Sequence, residues 1–246
     1  MNHPKITVVT VCFNAVDVIE KTILSVINQT YSNVEYILID GHSSDGTVDI
    51  IKKYADRISK WVSEPDKGIY DAMNKGTDLA TGEWINFMNA GDLFVNNHVI
   101  EDLLPVFEEK HDVIYGNTII VNGRYMKFCK AFLDADMMPN FCHQSSFILT
   151  QLMRKYHYDQ SFVIAADTDF FYKLHQNNIK FFYVDQTISI DDTNGISSNN
   201  RVCVYKEVSR IKKFKLSKLK MLKYAIEDAM PKWLMKKLMI LTWYFD

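Results

Sequence analysis

The chain has 246 residues, of which 48% are hydrophobic and 24% are charged, and its formal net charge at pH 7 is −2. These fractions are those of a soluble globular protein, and the length suits one large domain or one and a half. No apolar run approaches the roughly 20 residues of a membrane-spanning helix, and the first residues lead into a strand-like segment without a signal peptide's apolar core. We therefore expect a cytoplasmic protein whose four scattered cysteines are reduced and show no paired metal spacing.

Strand-like and helix-like segments alternate through the first part of the chain. Apolar runs rich in β-branched residues predict strands at 6–11, 34–39, 60–63 and 84–88. Apolar residues at helical spacing predict helices that begin near Val18, Val48 and Ile69. This alternation predicts an α/β fold with a doubly wound, mostly parallel sheet. An NAD-type site would need Gly-x-Gly-x-x-Gly after the first strand, but residues 12–16 hold no glycine, so that site is not expected.

The second half of the chain has shorter predicted elements. Residues 113–121 are predicted as two strands with a turn at Gly116-Asn117 between them, and Asn122-Gly123 is typical of a hairpin. A further strand is predicted at 181–184. Residues 191–197 are predicted as a loop whose two leading aspartates are solvated.

An acidic residue follows each of three predicted strands. Asp40 comes after the second strand, Asp66 after the third and Asp92 after the fourth. Ligands of open α/β sheets bind outside the carboxyl ends of the strands, so Asp40 could accept hydrogen bonds from a nucleobase or ribose. Asp92, which follows Gly91 in a tight polar turn, is well placed to hold a divalent cation that bridges to phosphate oxygens. The alternative is that Asp92 only closes a turn or caps the next helix.

Four segments, taken together, resemble the family 2 glycosyltransferases. They are 6–14 (ITVVTVCFN), 25–31 (SVINQTY), 39–47 (IDGHSSDGT) and 63–76 (SEPDKGIYDAMNKG). Their order and spacing make the resemblance more specific than any single motif, and it extends over roughly residues 5–200. The branch that looks most similar consists of bacterial enzymes that build capsule, exopolysaccharide or lipopolysaccharide units.

The resemblance implies the nucleotide-sugar transferase fold known as GT-A and sugar transfer with inversion. Residues 1–95 would form the nucleotide-sugar-binding half of the domain, and residues 96–200 would form the acceptor half. The residues that would lie by the nucleotide and line the donor pocket are Thr10, Cys12, Asn14, Asp40, Asp66, Asn74 and Lys75.

The family's Asp-x-Asp metal motif falls at residues 89–92, and this sequence departs from it. Asn89 and Gly91 stand where the motif has its acids, which leaves Asp92 as the only carboxylate of this turn. We expect Asn89 and Asp92 to lie by the donor diphosphate and Asp92 to bind Mn²⁺ or Mg²⁺. The affinity should be weak, because an amide is a poorer cation ligand than a carboxylate.

Two further pairs of residues are candidates for a role in catalysis. His143 and Gln144 lie between aromatic residues, and the resemblance, in which a His-Gln pair recurs, suggests that His143 binds the diphosphate or orients the acceptor. A structural role is the alternative for His143. Asp167 and Asp169 lie at a predicted helix start, where the resemblance implies an acid pair that contains the catalytic base. We predict that Asp167 is the base and that Asp169 is the second candidate; alternatively, the helix dipole favours both acids.

Basic residues are concentrated at the end of the chain. Residues 201–246 hold 12 Lys and Arg against 4 Asp and Glu, whereas residues 1–200 hold 16 against 26. Between Arg201 and Lys223 the one acid is Glu207, and leucines are interleaved with the lysines. We predict a basic amphipathic helical tail that lies on an anionic membrane surface, with a helical pair packed on the domain as the alternative. Nucleic-acid binding is not expected, because the aromatic residues cluster apart from the lysines.

These features together predict an inverting glycosyltransferase of bacterial surface polysaccharide synthesis. It would move a sugar from a nucleotide-sugar, with UDP as the expected nucleotide, to a hydroxyl of a lipid-linked or oligosaccharide acceptor. It would act in the cytoplasm, at the inner face of the cytoplasmic membrane. Two alternatives stay open: a nucleotide-sugar-binding domain without turnover, and a hydrolase that uses paired carboxylates.

Overall fold

A computed structural model describes residues 3–122, 125–133, 139–192 and 200–230 of the chain. The strands within these ranges are β1 (Ile6–Cys12), β2 (Val34–Asp40), β3 (Lys60–Ser63), β4 (Trp84–Phe87), β5 (Leu93–Phe94), β6 (Val113–Asn122), β7 (Tyr125–Cys129), β8 (Phe132–Leu133), β9 (Pro139–Asn140), β10 (Ser146–Leu149) and β11 (Phe181–Asp192). The helices are α1 (Ile19–Ile27), α2 (Thr47–Lys53), α3 (Ile69–Leu79), α4 (Val99–Asp102), α5 (Leu104–Phe107), α6 (Thr150–Tyr156), α7 (Ala166–Gln176), α8 (Arg201–Lys212) and α9 (Lys218–Ala229). Short 3₁₀ turns lie at Ala55–Arg57 and His143–Ser145.

Most of these strands form one mixed sheet, in the order β3-β2-β1-β4-β10-β6-β11-β5, with β7 paired to β6. β1 to β4 run parallel to one another, whereas β10 is antiparallel to both β4 and β6. Helices α1, α2 and α3 return the chain between the parallel strands, so the carboxyl ends of these strands share one edge of the sheet. The α/β architecture and the parallel arrangement predicted for the first half are confirmed.

Hydrophobic clusters cover both faces of this sheet. Successive residues of a strand point to opposite faces, so Val8 of β1 belongs to one cluster and Val9 to the other. Helix α1 packs on the first face through Ile23, and α3 packs on the second through Met73. Gly76 lets α3 approach β1 closely, because a Cβ at this position would lie only 2.4 Å from Val9 Cγ1. The sheet edge that bears the predicted site is therefore backed by a rigid core.

β6 differs from its prediction because it is a single strand. Gly116 and Asn117 lie inside it and not in a turn, since β6 continues through them to pair with β7, β10 and β11. A Cβ on Gly116 would lie 2.6 Å from the carbonyl oxygen of Gln186, in the part of β11 where the pairing register shifts. Glycine here serves the close approach of two strands.

β11 also differs from its prediction because it extends well beyond residues 181–184. It includes Asp191, which was expected in a solvated loop, because Ser189 to Asp192 pair in parallel with β6. The rest of that predicted loop, residues 193–197, lies outside the described residues. The hairpin after β6 is confirmed by the pairing of Asn122 with Tyr125, although its turn residues, 123 and 124, are not among those described.

The basic tail begins with two helices. Helix α8 packs on the domain through Ile211, which is buried, and through Val208. Helix α9 packs against α8, with the rings of Tyr224 and Tyr205 in contact, and has no buried residue. Among the described residues, no helix is long and apolar enough to cross a membrane. The aromatic end of the tail, residues 231–246, lies outside the described ranges.

Candidate active site

The site is built at the edge of the sheet where β1, β2 and β4 end. Cys12 and Asp40 are paired at the ends of β1 and β2. The loop after β4 continues along β1, with the Ala90 amide donating to the carbonyl of Val11. Asp66 reaches the same edge, where it packs against Gly41 directly after β2. Its Oδ2 atom lies only 2.5 Å from the position that a Cβ atom on Gly41 would occupy. The segments that carry the three predicted acids therefore meet at one edge. A cavity of about 940 Å³ at the other edge contains none of the predicted site residues.

Asp40 is a fully buried carboxylate that organises the loop after β2. It accepts hydrogen bonds from Ser43 Oγ (2.5 Å) and Ser43 N (3.0 Å), from Ser63 Oγ (2.6 Å) and from Cys12 Sγ (3.5 Å). Burial, followed by the charge of Asp40, raises the pKa of the Cys12 thiol, so the thiol stays protonated and can donate. Asp40 thus shapes the wall of the site, and its contact with a base stays a prediction.

Asn14 and Thr10 have different positions although both were predicted beside the nucleotide. Asn14 is exposed at the end of β1 in a left-handed conformation (φ 47°), and its Oδ1 accepts from the Ser44 amide at 3.0 Å. Thr10 is fully buried, and its hydroxyl donates to the Met88 carbonyl (2.7 Å) and accepts from Tyr36 (3.0 Å). Thr10 therefore joins β1 to the end of β4, and its place beside the nucleotide stays a prediction.

Asn74 and Lys75 of α3 support the site from behind. The side-chain amide of Asn74 donates to the Tyr158 carbonyl and accepts from the Tyr158 amide, at 2.9 Å each. Lys75 donates to the Pro65 carbonyl at 3.0 Å and pairs with Glu64 at 2.9 Å. Lys75 thereby fixes the segment that precedes Asp66, whose Oδ1 accepts from the Gly68 amide at 2.8 Å.

The turn after β4 has the unusual backbone that its glycine predicts. Gly91 has a φ of 103°, and its amide donates to Thr22 Oγ at 3.0 Å. The same hydroxyl donates to the Asp92 carbonyl at 2.9 Å, so α1 holds this turn in place. The Asp92 carboxylate accepts from Gln144 Nε2 at 3.3 Å. The predicted metal ligand therefore lies beside the His-Gln pair.

His143 joins the turn after β4 to the acid at the start of α7. Its Nε2 lies 3.0 Å from Asn89 Nδ2, and its Nδ1 lies 3.4 Å from Asp167 Oδ2. Its side chain is only 19% exposed. Burial by itself lowers the pKa of His143, but the hydrogen bond and charge of Asp167, together with the other nearby acids, outweigh burial and raise that pKa above its ordinary value. These other acids are Asp92 and Asp191, which act through their negative charges.

The two acids of α7 have separate partners. The Asp167 side chain is 27% exposed, faces His143 and lies 3.5 Å from the Tyr70 hydroxyl. Asp169 is buried and pairs with Lys173, one helical turn further on, at 2.6 Å. Of the two predicted candidates for the base, Asp167 lies in the site with its carboxylate partly exposed. The charge of Asp169 is instead balanced by Lys173 of the same helix.

Asp191 is a site residue that the sequence reasoning missed. It lies on β11, with its carboxylate 3.9 Å from Cys142 Sγ, and its negative charge helps to raise the pKa of His143. The one signal in the sequence was the alternation of apolar and polar residues in Ile188-Ser-Ile-Asp191, which is typical of a strand. Gln144 and Tyr70 also contact site carboxylates.

The oxygen atoms at the site are of the kind that Mg²⁺ and Mn²⁺ prefer. Asp92 supplies a carboxylate, and Asn89 Oδ1 is a buried oxygen without a hydrogen-bond partner among the described residues. In the described part of the chain, no three His, Cys, Asp or Glu side chains are grouped so that they could hold a metal ion by themselves. A cation here would need further ligands from a bound molecule.

Comparison with known sequences identifies similar proteins. The profile of the family described as glycosyl transferase family 2 matches residues 7–128. A PGL/p-HBAD biosynthesis glycosyltransferase of Mycobacterium bovis (strain BCG / Pasteur 1173P2) is 30% identical over 179 residues, which are 69% of each chain. An uncharacterized glycosyltransferase of Mycobacterium tuberculosis (strain ATCC 25618 / H37Rv) is 33% identical over 178 residues, 68% of this chain and 67% of the relative.

Solved structures share the fold at low sequence identity. S. aureus TarS 1-349 in complex with UDP-GlcNAc has a TM-score of 0.67 at 18% identity, with 91% of this chain and 71% of that chain covered. The mannosyltransferase PcManGT of Pyrobaculum calidifontis, in complex with GDP-Man and Mn²⁺, has a TM-score of 0.69 at 14% identity, with 92% and 70% covered. These likenesses confirm the predicted α/β fold of the GT-A type.

Proposed function

This chain belongs to glycosyltransferase family 2, and from that membership we propose that it moves a sugar from a UDP-sugar to a hydroxyl of a lipid-linked or oligosaccharide acceptor, with inversion. The acceptor would belong to a bacterial cell-surface glycan. The observation that carries the proposal is the partly open Asp167 carboxylate, 3.4 Å from His143. The fold neighbours with UDP-GlcNAc and GDP-Man support a nucleotide-sugar donor, and the mycobacterial relative supports a glycan or glycolipid product.

The proposed reaction is a single displacement with Asp167 as the base. Asp167 takes the proton of the acceptor hydroxyl as the hydroxyl oxygen bonds to the anomeric carbon. The bond from that carbon to the phosphate oxygen breaks on the opposite face, and the nucleoside diphosphate leaves with the bonding electrons. Asp169 is a poor second candidate for the base, because its carboxylate is buried against Lys173.

His143 is proposed to stabilise the leaving diphosphate. The acids around it raise its pKa, so its imidazole carries a positive charge at higher pH than an ordinary histidine. A fixed positive charge in a water-poor site stabilises the negative charge that develops on a leaving group. His143 also contacts Asp167, so it orients the base at the same time.

Asp92 is proposed as the protein ligand of a divalent cation, with Asn89 Oδ1 as a second oxygen. Mg²⁺ in nucleotide sites is commonly held by one or two carboxylates plus the phosphates of the substrate, so one carboxylate is enough when the donor is bound. Bound there, the cation would neutralise charge on the diphosphate.

The donor's nucleoside is proposed to lie against the loops after β1, β2 and β3. Asn14 and Asp66 are the predicted residues that present side chains there, since Asn14 is exposed and Asp66 is half-buried. Asp40, Cys12 and Lys75 hold these loops in place. Thr10 and Asn74 are proposed to support these loops from within the fold, through side-chain hydrogen bonds to the backbone.

The tail is proposed to bring the enzyme to an anionic membrane surface that carries the acceptor. Helix α9 exposes 79% of Leu219, 59% of Leu222 and 51% of Ile226, which share one face of the helix. Lys218 and Lys223 are exposed beside this face. An apolar stripe flanked by lysines suits the boundary between acyl chains and anionic headgroups. We place the enzyme at the inner face of the cytoplasmic membrane on this basis.

Asp167→Asn and its neighbour Asp169→Asn form a matched pair that tests the proposed base. Release of UDP from a panel of UDP-sugars would be measured with a bacterial membrane-lipid extract as the source of acceptor. We expect Asp167→Asn to lower kcat by about 10²- to 10⁴-fold with donor affinity unchanged. Asp169→Asn should keep kcat within about tenfold of wild type, because the buried Asp169 pairs with Lys173 of its own helix and asparagine keeps its shape.

Three outcomes would count against the proposal. Wild-type kcat in Asp167→Asn would mean that Asp167 is not the base. Release of free sugar in the absence of the lipid extract, at the same rate as in its presence, would favour a hydrolase. Binding of UDP without turnover of any donor would favour a nucleotide-sugar-binding domain.

A further inference from the structure

The helix that carries Asp167 begins without a side-chain cap. Helix α7 starts at Ala166, and its N-cap residue, Ala165, has no polar side chain to accept from the first amides. The segment before it, residues 159–165, is not helical, and its last residue, Ala165, is buried. A buried amide needs a hydrogen-bond partner, because leaving it unpaired is costly.

Glu207 of the tail helix α8 supplies these partners. Its Oε1 accepts from the Val163 amide at 2.7 Å, and its Oε2 accepts from the amides of Ile164 (3.0 Å) and Ala165 (2.8 Å). Three successive amides that converge on one carboxylate form an anion-binding concavity, and each of these hydrogen bonds is strengthened by the charge. The same negative charge lies at the positive end of α7.

Other side chains hold the same segment on both sides. Arg210, one turn further along α8, donates to Ser161 Oγ at 2.5 Å and lies 3.8 Å from the centre of the Phe162 ring. From the opposite side, the Tyr70 hydroxyl donates to the Ile164 carbonyl and lies 3.5 Å from Asp167 Oδ1. The start of α7 is thus clamped between α3 and the tail.

We propose that Glu207 is a positioning residue for sugar transfer, which fixes the start of α7 and thereby holds the Asp167 carboxylate against His143. Asp167 is two residues beyond the last amide that Glu207 accepts from, so a shift of this segment moves the carboxylate with it. A displacement of about 1 Å is enough to lower a rate about 10²-fold when it misplaces a reacting group. The inference rests on the proposed role of Asp167 as the base. In this view α8 supports the active site, and α9 is the helix that contacts the membrane.

The test compares Glu207→Gln and Glu207→Asp with Asp167→Asn in the full chain. Glu227→Gln is the matched control, since Glu227 is another acid of the tail, with its side chain 18% exposed and paired with Arg201. The first readout is kcat and the donor KM, in the assay of UDP release with the lipid extract. The second is the pKa of the His143 imidazole, measured by NMR on metal-free protein and assigned by the signal lost in His143→Gln.

We expect Glu207→Gln to lower kcat at least tenfold while the donor KM stays within about twofold. It should also lower the pKa of His143, in the same direction as Asp167→Asn. Glu207→Asp keeps the charge on a shorter side chain and should fall between Glu207→Gln and wild type. Glu227→Gln should match wild type in both readouts.

The NMR comparison needs no substrate, so it separates the two proposals. If Asp167→Asn keeps wild-type turnover, the assignment of the base is wrong, and the His143 titration still decides whether Glu207 holds Asp167. If Asp167→Asn changes the pKa of His143 and neither Glu207 variant does, Glu207 does not hold Asp167 against His143, and the inference is wrong. If near-ultraviolet circular dichroism shows that Glu207→Gln has lost its tertiary structure, Glu207→Asp decides by the same two readouts.

Discussion

Glu35 offers a quantitative test of how this fold holds a buried charge. It lies near the start of β2, at the edge of the sheet opposite the site, and is only 9% exposed. Its carboxylate accepts from Thr7 Oγ, from the Thr81 amide and hydroxyl at 2.6 Å each, and from Lys5 Nζ at 3.2 Å. Burial by itself raises the pKa of Glu35, but these hydrogen bonds outweigh it and lower the pKa from 4.5 to about 2.

The size of this shift sets the expected loss in Glu35→Gln. One pKa unit corresponds to ~1.36 kcal/mol, so the lowered pKa of Glu35 corresponds to about 3 kcal/mol of folding free energy at neutral pH. The folded-state pKa lies below the unfolded-state pKa. The contribution is therefore complete above the unfolded value of 4.5 and is lost as the pH falls toward the folded value of about 2. Glutamine keeps the shape but removes the charge.

Urea unfolding of wild type and Glu35→Gln at a series of pH values would measure this contribution. The difference in unfolding free energy should be about 3 kcal/mol at pH 7 and should shrink steadily below about pH 4.5. Asp49→Asn, at an acid whose side chain is 84% exposed, is the control and should show no comparable trend. A difference below about 1 kcal/mol at pH 7, or one that does not change with pH, would mean that the hydrogen bonds of Glu35 do not stabilise its charge as described.

Two further predictions concern the cation and the membrane. Calorimetric titration with UDP should show tighter binding to wild type when Mn²⁺ is present, and Asp92→Asn should remove that gain; an equal gain in both proteins would contradict the role of Asp92. The double variant Leu222→Glu/Ile226→Glu should lose at least tenfold in affinity for phosphatidylglycerol vesicles, because burying each apolar side chain contributes about 1.5–3 kcal/mol. Met126→Glu is the control, since Met126 is 74% exposed on β7, and it should keep the affinity of wild type. Equal binding to neutral phosphatidylcholine vesicles would contradict the role of the lysines.

The first half of the fold could be predicted from sequence because its signals are local. The strand at Lys60–Ser63 has the predicted bounds, and β1 and β2 each extend one residue further than predicted. Apolar β-branched runs between polar turns define such strands without reference to the rest of the chain. The left-handed Gly91 could be predicted for the same reason, because a glycine in a tight polar turn readily adopts a positive φ.

The errors occur where distant partners override a local signal. The pair Gly116-Asn117 is typical of a turn, but here Asn117 donates to Asp185 and accepts from the Ala131 amide, so the pair is held straight by residues far along the chain. The side chain of Asn74 also has a distant partner, the backbone of Tyr158, while its place in the donor pocket stays a prediction. A sequence pattern that covers only a few neighbouring residues does not include these distant partners. Resemblance to a family motif predicts where a residue lies along the chain but not which way its side chain points.

The departure of residue 89 from the metal motif has a physical reason in the contact with His143. The imidazole already lies in the field of Asp167, Asp92 and Asp191. A fourth carboxylate would add like charge to this group and could only accept, so it would pair with Nε2 only when that nitrogen carries a hydrogen. The amide of Asn89 donates to a neutral imidazole at 3.0 Å and, if rotated, accepts from a protonated one. An asparagine at position 89 is therefore a weaker cation ligand than an aspartate, but its side-chain amide suits the contact with His143 better.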